Sequence, residues 1–269
     1  MPADFNWLSV WNWEPSILLG LAALCGAYGL SIGRLRHRFQ NSTSTPPRQI
    51  AIFFAGVMII FFALVSPIDA MGDHYLFSFH MTQHLLLTLV MPPLLLLGTP
   101  AWMIEPLLRS RFFYALGRWI TSALPALSIF NLLFGFYHLP ALYDLSLRNE
   151  ILHLIVHLAL MISAVITWMP ICSPTKILPR LPHSAQVLYL FIAAIPPTIL
   201  GAIITFSDRV LYPTYLAAPR VFGISALEDQ QSAGLIMWLP GATIYLIALT
   251  IVFFKWFNHS ESVEQSNLV

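Results

Sequence analysis

Charge is what this sequence has least of. Only 9% of its 269 residues are Asp, Glu, Lys or Arg, while 58% are hydrophobic. A water-soluble domain carries about 25% charged residues, so this chain has too few polar side chains to cover a surface facing water. It has no polar block long enough to fold alone, which excludes a separate soluble domain. It has no alternating segments of strand length, which excludes a transmembrane barrel. No repeat of solenoid period is visible. The opening residues, MPADFNWLSVWNWEP, lack the positive start of a signal peptide. They carry Asp4 and Glu14 with Trp7, Trp11 and Trp13, the make-up of an uncleaved interfacial anchor. With 13 basic residues against 12 acidic ones, no nucleic-acid partner is expected.

What the chain does have is apolar length. A helix needs roughly 20 mainly apolar residues to cross a bilayer. Seven runs qualify: 16–35, 49–65, 75–97, 119–137, 150–169, 184–206 and 231–256. The expected fold is all-α, a multi-pass membrane bundle of seven helices. One domain fills 16–257, preceded by an interfacial segment, 1–15, and followed by a tail, 258–269. The stretch RHRFQNSTSTPPRQ reads as a linker, and Pro92-Pro93, Pro196-Pro197 and Pro240-Gly241 predict kinks or breaks in three spans.

The cations fix an expected orientation. Arg34, Arg36, Arg38, Arg48, Arg109, Arg111, Arg118, Lys176, Arg180 and Lys255 fall on one side of this map, and only Arg148, Arg209 and Arg220 on the other. The positive-inside rule then places the amino terminus outside and the carboxyl terminus in the cytoplasm, with connections 66–74, 138–149 and 207–230 facing out. Cys25 lies within the first span and Cys172 on the cytoplasmic side, so no disulfide is expected.

Two apolar runs contain histidine pairs at the same spacing: FHMTQHLLL (79–87) holds His80 and His84, and LHLIVHLAL (152–160) holds His153 and His157. Residues i and i+4 share a helix face with Cβ atoms about 5–6 Å apart, which lets two imidazoles bind one ion at about 2.0–2.1 Å. Both helices run inward, and at 1.5 Å per residue both pairs lie roughly 5–15 Å below the outer surface. A single intramembrane histidine is often no more than an interhelical hydrogen-bonding group. Two pairs at matching depth point instead to a shared metal or cofactor site.

Met161 continues the second ridge with a thioether. Asp69, Asp73, His74, His138, Tyr143, Asp144, Glu228, Asp229, Gln230 and Met237 gather on the same side. Asp229 and Gln230 open a span and can face the bundle, where a carboxylate would orient an imidazole through its second N–H. Imidazole suits zinc, copper, iron and nickel, and thioethers favour Cu(I). Haem would use one histidine of each pair and leave the others unexplained.

Four segments in order, SPID, FSFHMTQHLLLTLVMPPLLLLGTP, HLPALYDLSLRNEILHLIVHLALMISAVITWMP and DQQSAGLIMW, resemble the seven-helix CtaG family of cytochrome c oxidase assembly factors, over roughly 16–257. This family is distinct from the single-span copper chaperone that shares its name. The resemblance implies a multi-pass protein of the bacterial inner membrane that handles copper for haem-copper oxidase, with oxidase subunits, membrane lipid and a copper donor protein as partners. It places the family's histidines at His80, His84, His138, His153 and His157, and its acidic positions at Asp69 and Asp229. The expected metal ligands are His80, His84, His153 and His157. The expected supporting residues are Asp69, Asp73, His74, His138, Met161, Asp229 and Gln230. No catalytic residue is expected. Two other readings fit the residues: an intramembrane zinc hydrolase with Asp69 or Asp229 as general base, and a structural partner without metal.

Overall fold

The computed structural model describes residues 10–266, with side chains through Asn258. Asp4 and Trp7 of the proposed anchor lie outside the described residues. The chain is helical throughout, with no strand among the described residues. In order come α1 (Pro15–Ile32), α2 (Pro47–Val65), α3 (Pro67–His74), α4 (Phe77–Leu85), α5 (Met91–Gly98), α6 (Ala101–Ile104) and α7 (Arg111–Ile120). They are followed by α8 (Ala123–Tyr137), α9 (Pro140–Leu147), α10 (Glu150–Cys172), α11 (His183–Thr205), α12 (Pro213–Ala217) and α13 (Ala226–Ser266).

Six runs are long and apolar enough to cross a membrane: Pro15–Ile32, Pro47–Val65, Phe77–Gly98, Glu150–Cys172, His183–Thr205 and Ala226–Asn258. Their outward faces carry bare apolar side chains such as Ile151, Leu188 and Leu246, a surface suited to lipid. The fourth expected span differs from its sequence reading. It begins at Ala123, after a 71° bend between α7 and α8, and a seventh crossing exists only if the bent pair counts as one. Pro125 explains the break. Its ring cannot accept a helix continuing from Thr121, whose hydroxyl, like that of Ser122, turns back onto the last carbonyls of α7, Gly117 and Trp119. Helix α7 itself buries no residue and leaves Phe112 and Trp119 exposed.

The prolines act unequally. α11 runs through Pro196 and Pro197, and α13 through Pro240, without a break. Just before Pro92-Pro93 the chain widens into one π turn over Leu86–Val90, which starts two residues after His84. Pro92 has no N–H to offer the Thr88 carbonyl, and the Trp168 indole N–H takes that carbonyl instead, at 3.2 Å. Cys25 and Cys172 are both free thiols.

Close backbone contact sets the frame around the histidines. α11 and α13 touch where a Cβ on Gly201 would come within 2.9 Å of the Gly234 carbonyl oxygen, so only hydrogen fits. α3 presses on α4 in the same way: a Cβ on Gly72 would lie 3.0 Å from the His80 Cα and N. The segment before α1 is tied down too. Trp11 stacks on Trp13, and Asn12 donates its backbone N–H to the Val65 carbonyl, at 2.9 Å.

Candidate metal centre

Helix α4 starts among buried groups, where its free N–H donors need partners. Asp229 of α13 supplies them. Its carboxylate accepts from Phe77 N at 2.7 Å, Ser78 N at 3.1 Å and the Ser78 hydroxyl at 2.6 Å. A carboxylate at a helix start both fills the orphan donors and meets the positive end of the helix dipole. The expectation that Asp229 orients an imidazole is therefore corrected: its oxygens face the start of α4, and it positions the histidine helix as a whole. Helix α10 is capped locally, by the Asn149 side chain accepting from Leu152 N at 3.0 Å.

The two histidine ridges meet. His80 lies 5.7 Å from His153 and 5.5 Å from His157, ring centre to ring centre, and His84 lies 5.2 Å from His157. Within the pairs the separations are 4.5 Å for His80–His84 and 4.3 Å for His153–His157. His80, His84 and His157 are 0%, 4% and 8% exposed. Two groups place all their ligand atoms within 4.8 Å of one another: His80, His84 and His157, and Asp73, His80 and His153. Tetrahedral ligands at about 2.0–2.1 Å from one ion stand about 3.3–3.4 Å apart, a spacing that His80 Nδ1 and Asp73 Oδ1 already have at 3.3 Å.

Asp73 is the carboxylate that reaches the rings. Its Oδ1 is 3.3 Å from His80 Nδ1 and its Oδ2 is 3.6 Å from His153 Nδ1. Burial pushes Asp73 up, but the His80 hydrogen bond and the nearby His153, His80 and His157 rings outweigh it and hold the carboxyl below its usual range. Asp69, one turn earlier on α3, behaves oppositely. Burial first, and the charge on Asp73 second, raise it to about 7, against the hydrogen bonds from Asn12 and Gln83, each at 2.6 Å.

The remaining partners divide unevenly. Nε2 of His80 sits 3.4 Å from the Tyr137 hydroxyl. His153 Nε2 and His157 Nε2 face each other at 2.7 Å, so one ring donates to the other. Among the described residues, neither nitrogen of His84 has a hydrogen-bond partner. Its ring lies parallel to Tyr137 at 5.5 Å and is 5.8 Å from the His138 ring. His138 donates Nδ1–H to the Phe134 carbonyl at 2.7 Å, which fixes its tautomer and leaves Nε2 a free lone pair, also without a partner among the described residues. Beyond His84 a small cavity of about 20 Å³, room for about one water, is lined by Met81, Thr88 and Met237 among others.

Of the other supporting residues, Gln230 pins the connection before α13, accepting from Leu211 N and donating to the Arg209 carbonyl. Met161 packs in the apolar cluster of Ile60, Ala63, Leu87 and Met91. The His74 ring meets Tyr75 edge-on at 6.5 Å. Tyr137 and Gln83 were not singled out from the sequence, although Tyr137 adjoins His138 and Gln83 adjoins His84. Adjacency to those histidines was the one signal available for either.

The family model described as cytochrome c oxidase caa3 assembly factor (Caa3_CtaG) matches residues 26–259. No curated protein and no solved structure matches the chain.

Proposed function

Because the chain belongs to the cytochrome c oxidase caa3 assembly factor family, we propose that it serves the oxidase by holding copper in transit between a donor protein and an oxidase subunit. It does so in a bacterial inner membrane, with the histidine end facing out of the cell and the carboxyl terminus in the cytoplasm. The ten-to-three division of Lys and Arg between the two ends supports that orientation.

The observation that carries the copper reading is His84. A buried imidazole with both nitrogens unpartnered costs about 1–3 kcal/mol. Here it stands inside a ring of three further histidines. A bound ion offsets that cost and accounts for the grouping. Imidazoles with one carboxylate, and no thiolate in either ligand group, hold copper firmly enough to select it and loosely enough to release it. Copper here is cargo, and the protein's part is to bind, orient and shield it.

The test is copper content of the detergent-purified chain. The double variants H80A/H84A and H153A/H157A are both expected to lose the bound copper that the unaltered chain retains. Unchanged copper in both removes the reading, and zinc accompanied by turnover of a lipid ester or amide replaces it with the hydrolase.

A further inference from the structure

The copper reading treats the histidines as one centre, yet the geometry separates two. One ligand group, His80, His84 and His157, is buried throughout. The other, Asp73, His80 and His153, is not: the Asp73 and His153 side chains keep 20% and 16% of their surface exposed. His80 belongs to both, and its two nitrogens face different partners, Nδ1 toward Asp73 and Nε2 toward Tyr137. We propose that the two groups are successive positions for a single copper ion, which is captured at Asp73, His80 and His153 and then passes across the His80 ring to rest at His80, His84 and His157.

The chemistry of the shared ring sets the rules of the transfer. A neutral imidazole offers one lone pair to a metal, because its other nitrogen carries the proton. His80 thus serves one position at a time, and the chain carries one ion rather than two. When the ion changes sides, the ring gives up a proton at one nitrogen and gains one at the other, so its charge is unchanged. The N–H has an acceptor in either case: Asp73 at 3.3 Å when Nε2 holds the metal, and the Tyr137 oxygen at 3.4 Å when Nδ1 does. Capture falls to this position because Asp73 and His153 are the ligands a donor can reach from the surface, and a carboxylate attracts the cation. The buried all-imidazole position has no such group, and His84 has two nitrogens free to complete it.

This path rests on the copper reading, and the experiment separates the two. Apo protein in detergent is loaded anaerobically with Cu(I) delivered from a coloured chelator, following both the rate and the final affinity. The unaltered chain is expected to take one ion. D73N is expected to take one ion with affinity within about threefold of that, but to load about tenfold more slowly or worse. H153A, a second route to the same result should D73N fail to fold, is expected to load slowly too. H84A is expected to leave the ion at the exposed position, with two imidazole ligands rather than three by X-ray absorption and loss to chelator about tenfold faster. Loading of D73N or H153A at the unaltered rate, or two ions per unaltered chain, overturns the path and leaves the copper reading standing. No copper on the unaltered chain overturns both.

Discussion

The two histidine pairs are alike in the sequence and unlike in the structure. Each has the same spacing, and each sits near the start of a membrane-length helix. His80 and His84 are nearly sealed from the surface, on a helix whose first N–H groups are held by a carboxylate 151 and 152 residues away in sequence. His153 and His157 begin a helix that caps itself through Asn149, and their rings satisfy each other at 2.7 Å. The contrast shows that equal spacing does not mean equal work. The α10 pair is held locally and partly open, suited to exchange. The α4 pair depends on three other helices, α3, α10 and α13, and contains His84, the one buried ring with no partner at either nitrogen among the described residues.

The comparison can be broken most forcefully at the two caps. Asp229→Ala leaves the buried Phe77 N–H and the part-buried Ser78 N–H of α4 without an acceptor, and we expect it to cost about 2–4 kcal/mol, read as a large fall in the thermal midpoint in detergent together with loss of copper. A midpoint close to the unaltered one denies that α4 depends on the distant cap. The next largest effect separates the rings themselves. His84→Ala is expected to weaken copper retention by about tenfold or more relative to His153→Ala, measured by competition with a chelator at equilibrium. Equal losses make the two pairs equivalent and dissolve the contrast. The smallest effect is at the local cap. Asn149→Ala is expected to cost only about 1 kcal/mol in the same thermal assay and to leave copper affinity unchanged.

Much of this architecture was legible in the residues. The absence of charge and the apolar runs placed the spans, because a helix in lipid must satisfy its backbone internally and needs a fixed length to cross. The one span that came out differently, α7 and α8, turned on Pro125, whose effect depends on whether the chain beside it is free to turn away. The i, i+4 spacing put each pair on one face, since helix geometry leaves no other arrangement. It did not distinguish Asp73 from Asp69 or Asp229, three carboxylates near the same end. Only the pressing of Gly72 onto the His80 backbone brings Asp73 to the rings. Asp69 turns to Asn12 and Gln83. Asp229 is spent on the start of α4.

The sequence by itself determined that the chain is made of apolar helices, two of which carry an imidazole pair on a single face, because composition and helical period are local properties. The tertiary structure alone decided which ring shares a carboxylate, which shares a proton with its neighbour and which stands unpartnered. Those relations depend on how closely separate helices approach, and that distance is set by side-chain volume at the contacts and written in no single stretch of chain.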